Sequence, residues 1–386
     1  MNFLIKTISL FFFLTLPELK KKNRWSFSTH TNLFADNPKY LFLFLMKNDL
    51  PRKPEIAWIT KSRKTYRYMK KEKYNVFHLF SFRGIWYTMT SSHWFVSGDS
   101  SDLAISLSKG VKIVSLWHGT PIKKIRENNT AKRKTTNFLC SHSKKIKIYF
   151  DKRIDHLISP SEYVTEHIFL KSFKLQKHQI HALGNPRLDN GINKCKKNKI
   201  IEKANKKILY APTFRSYNPF FLRTRDFNFL NSNIEEKDNN VTLFIKPHPF
   251  SHPPLQYDTT NKIQVLDKDI DIYEIIQDFD ILISDISSLI FDFMALNKGI
   301  IIFMPDAHKY VESERYLYTH NALLQSFIPC ENIFELEDAI LKLSKASNNK
   351  AMDYVRENMN RKYNSENTGN ACEKIYYYFN GINDEL

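Results

Sequence analysis

Cysteine is scarce in this chain: among 386 residues only Cys140, Cys195, Cys330 and Cys372 occur, widely scattered and without a C-x-x-C pair. That spacing excludes a disulfide framework and a cysteine zinc site, and fits a reducing, cytoplasmic compartment. Neither G-x-G-x-x-G nor G-x-x-x-x-G-K-[ST] occurs, so dinucleotide oxidoreductases and P-loop hydrolases find no support. No His/Cys cluster at ligand spacing is present. No metal site is therefore expected, although a divalent cation such as Mg2+ is compatible with the chemistry. Internal repeats are absent, as is low complexity beyond the lysine clusters.

A membrane-length apolar run is missing too. Residues 3–16 are nearly all apolar but interrupted by Lys6, and they fall short of the roughly 20 residues that span a bilayer. No small-residue cleavage site follows, which argues against a signal peptide. Pro17, Glu18, Lys20, Lys21, Lys22, Arg24 and Trp25 come next. Residues 1–24 are read as a retained interfacial anchor, with lysines on anionic head groups and Trp25 at the boundary. A short spanning helix and a buried core helix are the alternatives.

What the chain does have is positive charge and aromatic bulk. Lys plus Arg number 58 against 40 Asp plus Glu, a net charge of +18, which favours anionic partners: phosphate-rich substrates, anionic lipid or nucleic acid. The basic residues form several scattered clusters and no nucleic-acid motif appears, so nucleic acid is not an expected partner. With 42% hydrophobic residues, 30 Phe and 19 Tyr, the chain can bury sizeable cores, which excludes global disorder. At roughly 100–200 residues per domain, the length suggests two domains.

Short apolar runs at 56–60, 76–80, 94–97, 112–116, 156–159 and 178–183 alternate with longer amphipathic stretches. A second series, 207–211, 241–245, 262–266, 281–284 and 300–304, follows the lysine-rich stretch 193–206. Helices are expected at 226–237, 272–278, 288–296 and 334–346, and through 350–379. Alternation of this type predicts α/β architecture with parallel sheets. The division is then an anchor (1–24), a Rossmann-like domain (25–192), a linker (193–206) and a second Rossmann-like domain (207–386). Ligands bind such folds at the carboxyl ends of strands.

Candidate chemistry sits at those strand ends. Trp117-His118-Gly119-Thr120-Pro121 follows one strand, and His118 there can take a proton from a hydroxyl near neutral pH. Lys123 and Lys124 are placed to neutralise phosphate. Lys246-Pro247-His248-Pro249 repeats the logic, a cation and an imidazole held by rigid prolines. Ser284-Asp285-Ile286-Ser287-Ser288 supplies N-caps for the next helix and can also present hydroxyls and backbone amides to a pyrophosphate. Asp292 either binds a polyol or ribose hydroxyl or faces solvent. Arg187 and Arg215 each stand at a strand end, suited to bidentate phosphate contact or, for Arg187, to a surface pair with Asp189.

Taken in order, LWHGTPIKKI (116–125), GNPRLD (184–189), APTFR (211–215), KPHP (246–249) and SDISSLIFDF (284–293) resemble the CDP-glycerol:poly(glycerophosphate) glycerophosphotransferase family. FADNPKYLF (34–42) and the apolar start are similar to its N-terminal part, so the resemblance covers nearly the whole chain. It implies a GT-B fold of two facing Rossmann-like domains, the first for acceptor and the second for CDP donor. It also implies a peripheral enzyme on the cytoplasmic face of the bacterial membrane. The implied reaction moves glycerol phosphate, or a related polyol phosphate, from CDP-glycerol to a teichoic acid or capsule polymer on a lipid or glycolipid carrier, releasing CMP. His118 would be the base and His248 would lie by the donor phosphates. Lys246, Arg215, Thr213, Ser287, Ser288, Asp285 and Arg187 would hold the donor; Gly119, Thr120, Lys123 and Asp292 would meet the acceptor. A GT-B glycosyltransferase using a nucleotide sugar is the alternative.

Overall fold

The computed structural model describes residues 19, 22–122, 124–125, 153–193, 206–213, 226, 230, 241–247, 263–267, 270–306, 327–345 and 350–381. Two all-parallel sheets carry the fold. The first comprises β1 (Lys22–Ser28), β2 (Glu55–Thr60), β3 (Val76–His78), β4 (Ser91–Val96), β5 (Lys112–Ser115), β6 (His156–Ser159) and β7 (Ile180–Ala182). Its spatial order is β3-β2-β1-β4-β5-β6-β7. The second comprises β8 (Lys206–Tyr210), β9 (Val241–Ile245), β10 (Ile263–Val265), β11 (Ile281–Ser284), β12 (Gly299–Phe303) and β13 (Ile328–Cys330). It runs β10-β9-β8-β11-β12-β13. Both orders are doubly wound, with the switch point between first and fourth strand: β1/β4 in one sheet, β8/β11 in the other.

The expected strands all form, within a few residues at their ends, because buried parallel strands read as continuous apolar runs. Two strands escaped the sequence reading. β13 is a three-residue edge strand containing Pro329, too short to register. β1 is the central strand of the first sheet, and it corrects the anchor reading at residues 22–25. Lys22 and Asn23 are exposed at its start, whereas Trp25 to Ser28 are buried. Trp25 packs on Phe95 with ring centroids 4.6 Å apart, so it lies in the core rather than at a lipid boundary. A charged strand start followed by a buried end is what a strand rising from solvent into a covered sheet requires. Residues 1–18, 20 and 21 of the expected anchor lie outside the described residues, as do 194–205 of the expected linker and nearly all of the expected helix 226–237. No helix among the described residues is long and apolar enough to cross a membrane.

The halves are joined by packing as well as by chain. Trp117, Leu157 and Phe169 of the first share one apolar cluster with Phe244, Leu282, Leu289 and Phe291 of the second. The C-terminal stretch forms two helices, Lys350–Asn364 and Ala371–Asn380. The first lies along the seam, where Asn364 Nδ2 donates to the Phe291 carbonyl at 2.9 Å and Tyr363 meets Tyr163. The last returns to the first sheet, burying Cys372, Ile375 and Tyr376 against Trp25, Phe27 and Leu41. Asp189 secures that return: its carboxylate accepts from the backbone N–H groups of Ala371 (3.0 Å) and Cys372 (2.7 Å) at the helix start. The expected Asp189–Arg187 pair is therefore not formed.

Candidate active site

At the carboxyl end of the first sheet, three loops converge on Ser97. After β1 comes His30, after β4 Ser97 itself, and after β5 Trp117 and His118. The Ser97 carbonyl accepts from His118 Nδ1 at 3.1 Å. Its hydroxyl accepts from the His30 backbone N–H at 3.0 Å and lies 3.0 Å from His30 Nδ1. The two imidazole centroids stand 5.2 Å apart. Ser97 is held in turn by Asp102, whose Oδ2 accepts from the backbone N–H groups of Ser97 (3.0 Å) and Gly98 (2.9 Å).

The turn that presents His118 is tight. Trp117 takes φ +50 and Gly119 φ +119, and a left-handed tryptophan costs on the order of 1–3 kcal/mol unless its surroundings hold it there. Asn37 does so, its Nδ2 donating to the carbonyls of Leu116 (3.0 Å) and Trp117 (2.9 Å) while its Oδ1 accepts from the Arg187 backbone N–H (3.1 Å). Trp117 also packs edge-on against Phe173, centroids 4.7 Å apart.

Because a carbonyl oxygen can only accept, His118 Nδ1 carries its proton and Nε2 keeps the lone pair. The residue is open to solvent although protein crowds around it. That crowding lowers the His118 pKa below 6.5; His30 and Arg187 lower it further, and Asp36 and the Ser97 carbonyl only partly oppose them. The imidazole is thus neutral at pH 7, the state a general base needs.

The second sheet offers a matching rim. After β8 and β11, Thr213 and Asp285 clasp each other: the Asp285 carboxylate accepts from Thr213 N at 3.0 Å and from Thr213 Oγ1 at 2.7 Å. Asp285 is buried, so it shapes the rim from beneath. Lys246 follows β9 at the same end of the sheet. Ser287 Oγ accepts from Leu289 N at 3.3 Å, whereas Ser288, at the N-cap of Leu289–Ala295, makes no side-chain cap bond. Ser288 instead faces the first half. A Cβ added to Gly119 would stand 2.9 Å from Ser288 Oγ and 2.6 Å from Arg187 Nη2. The glycine is what lets the His118 turn meet the other rim.

Two expectations are corrected at this seam. Arg187 is not free for donor phosphate, and Asp292 neither faces solvent nor is open to a polyol. The buried Arg187 guanidinium pairs with Asp36 at 2.9 Å and with Asp292 at 2.8 Å. Tyr273 donates to Asp292 at 2.7 Å and lies under the guanidinium, 4.5 Å from ring centroid to Cζ. Burial opposes the charge, but Asp292, Tyr273 and Asp36 outweigh it and keep Arg187 protonated. A second cross-half pair runs beside it: Lys39 to Asp271 at 2.6 Å and to Glu274 at 2.5 Å. Thr120 is buried, and its hydroxyl has no hydrogen-bond partner among the described residues. His248, Arg215 and Lys123 lie outside the described residues. Among the described residues no group of three or more His, Cys, Asp or Glu gathers around a cation position.

Of the residues singled out from sequence, the structure brings Gly119, next to His118, against Ser288; sequence reasoning did not single out their neighbours His30, Ser97, Asn37 and Asp102. The available signal was position: His30 and Ser97 end strands, and Asn37 sits in the Asp36-Asn37-Pro38 turn opening a helix.

A family model described as CDP-Glycerol:Poly(glycerophosphate) glycerophosphotransferase matches residues 8–379. A teichoic acid poly(glycerol phosphate) polymerase of Bacillus spizizenii is 30% identical over 313 residues, 74% of each chain. A teichoic acid glycerol-phosphate transferase of Staphylococcus aureus is 27% identical over 94% of each chain. Among solved structures, a variant of the wall teichoic acid polymerase TagF superposes with TM-score 0.76 at 20% identity, covering 99% of this chain and 95% of that one. A UDP-N-acetylglucosamine 2-epimerase structure from Listeria monocytogenes reaches TM-score 0.56 at 13% identity, covering 95% and 98%. The structural likenesses speak to fold, which is of the GT-B type.

Proposed function

The chain belongs to the CDP-glycerol:poly(glycerophosphate) glycerophosphotransferase family, and from that premise we propose that it transfers glycerol phosphate from CDP-glycerol to the terminal hydroxyl of a teichoic acid polymer. The observation that carries this reading is the neutral imidazole of His118, its Nδ1 spent on Ser97 so that its Nε2 keeps the lone pair. The acceptor hydroxyl attacks the glycerol-bearing phosphorus of the donor. The new P–O bond forms as the P–O bond to the CMP leaving group breaks, and the hydroxyl proton passes to His118 Nε2. Phosphoryl transfer of this type depends on positioning and charge stabilisation. Lys246, His248, Arg215 and the hydroxyls of Ser287 and Ser288 supply the donor side, with Thr213, its hydroxyl donating to Asp285, shaping the rim beside them; Lys123 and Thr120 belong to the acceptor side. Arg187, Asp292 and Asp285 act as supports beneath these contacts. Residues 22–192 form the acceptor unit and 206–386 the donor unit, with the final helix crossing back.

The acceptor is carried on a lipid, and the enzyme works at an anionic membrane surface. Support comes from the apolar stretch 3–16 and from a cluster of exposed apolar side chains. Phe80 is 69% exposed, Phe82 85% and Trp86 48%. Helix Arg63–Lys71, nearby, carries five basic residues and no acidic one. Aromatic side chains with adjoining basic charge suit an anionic head-group layer.

The test is a donor screen. The full chain is incubated with a lipid-linked glycerol phosphate acceptor and CDP-glycerol, CDP-ribitol or UDP-sugars, and CMP and UDP are measured. CMP release with growth of the polymer by one glycerol phosphate is expected. Release of UDP alone would establish a nucleotide-sugar glycosyltransferase in its place.

A further inference from the structure

Ser97 presents a different group to each of two neighbouring imidazoles. To His118 it offers its carbonyl, which forces the proton onto Nδ1 and leaves Nε2 a lone pair. To His30 it offers its hydroxyl, 3.0 Å from Nδ1. That oxygen already accepts the His30 backbone N–H, and its single proton has two acceptors to choose from: His30 Nδ1 at 3.0 Å and Asp102 Oδ2 at 3.3 Å. The shorter contact is to His30. Asp102 competes weakly for it, since its Oδ2 is the more distant acceptor and already accepts two backbone N–H groups. When the Ser97 hydroxyl donates to Nδ1, the His30 proton resides on Nε2. That atom has no protein partner among the described residues, and the ring is exposed.

We propose that His30 is a substrate-contacting residue of the acceptor site, its Nε2–H donating to a phosphate oxygen of the acceptor's terminal unit and so placing the attacking hydroxyl on His118. The inference rests on the glycerophosphotransferase reading and adds the acceptor contact to it. One serine thereby sets opposite tautomers in two rings whose centroids are 5.2 Å apart, one an acceptor of protons and one a donor to anions. In a poly(glycerol phosphate) chain the nearest phosphodiester lies a few bonds from the terminal hydroxyl. Two ring nitrogens spaced this closely can therefore hold both groups of one terminal unit.

The experiment measures CMP release by the full chain while acceptor and CDP-glycerol are varied separately. For His30→Ala the KM for acceptor rises by roughly tenfold or more, the loss expected for a hydrogen bond to a charged group, while the KM for CDP-glycerol stays within about twofold. His30→Gln, whose amide N–H can stand near the place of Nε2–H, recovers most of that loss. Ser97→Ala keeps the backbone carbonyl that serves His118 but removes the hydroxyl, and it raises the acceptor KM in the same way. A rise confined to the CDP-glycerol KM, or a kcat loss that Gln does not recover, overturns the proposal. A wild-type chain that transfers nothing from CDP-glycerol sinks the functional reading instead, and a separate measurement then decides the proposal. In 15N-histidine NMR spectra, His118 should appear as the Nδ1–H tautomer and His30 as the Nε2–H tautomer, with His30 shifting on addition of glycerol 3-phosphate. The Nδ1–H tautomer at His30, or no shift there, rules the contact out.

Discussion

Asn37 and Trp117, 80 positions apart in the chain, are joined by a hydrogen bond of 2.9 Å from the Asn37 amide to the Trp117 carbonyl. That bond, with its neighbour to Leu116 at 3.0 Å, holds the left-handed residue from which His118 projects. Asn37→Ala leaves buried carbonyls without a donor, at about 1–3 kcal/mol for each group stranded. Displacement of the base should lower transfer by roughly 100-fold. Thermal melts and CMP release under saturating substrates check the two effects. A variant that loses stability but turns over normally would show that the turn keeps its shape without Asn37.

His118→Ala should reduce transfer by about 100- to 10,000-fold, the range for loss of a general base, and leave the melting temperature nearly unchanged because the ring is exposed. The pH profile carries more information. As the proposed base His118 would work in its neutral form, and its pKa lies below 6.5. Lowering the pH toward 6.5 should therefore cost little activity, and the acid limb of kcat/KM, which reports the free enzyme, should fall below that value. A limb centred above 6.5 would assign the titration to another group.

The Arg187–Asp292 pair is an internal clasp between the halves, 105 positions apart in the chain. Asp292→Asn removes one of the two carboxylates that compensate the buried guanidinium, leaving Asp36, and should cost about 1.5–3 kcal/mol in denaturant unfolding. The double change Arg187→Met with Asp292→Leu removes both charges and should cost less than Asp292→Asn alone. Additive losses would mean that the two side chains act independently.

Asp102 makes a prediction with the opposite pH sense from an ordinary surface carboxylate. Its folded pKa is raised by burial from 3.8 to about 7, so the folded state holds the proton more tightly than the unfolded chain. The resulting stability is complete below pH 3.8 and is lost as pH climbs through about 7. Asp102→Asn does not titrate. Relative to wild type it should gain stability between these limits, by up to ~4 kcal/mol. Parallel stability curves for the two proteins would mean that Asp102 is ionised throughout.

The exposed aromatics give a binding prediction. Phe82→Ser with Trp86→Ser should weaken cosedimentation with phosphatidylglycerol-containing vesicles by tenfold or more, leaving turnover of a soluble acceptor intact. Deleting residues 1–18, which spares β1 at Lys22–Ser28, should weaken it further. Vesicle binding equal to wild type in both variants would remove the membrane assignment from these segments.

Legibility differed by the range of the interaction. Strand positions could be read because a buried strand writes itself as a local apolar run, as at Val241–Ile245, and His118 could be read because such a run ends just before it. β1 could not, since three basic or polar residues open it and the burial that defines it comes from β2, β4 and the final helix. Arg187 was misassigned for the same reason: local sequence marks it as a strand-end cation, and only packing shows Asp36 and Asp292 on either side of it.

By itself the sequence determined the alternation of strand and helix, the doubly wound class, and the ordered motifs that mark the family, because each is written in spacings of a few residues. The tertiary structure alone decided which side chains meet: His30 beside His118, Asn37 under Trp117, Gly119 against Ser288, and the last helix back on the first sheet. Those meetings depend on how crossovers fold distant segments onto the switch points of two sheets. No local pattern encodes a distance between residues that only the completed packing brings together.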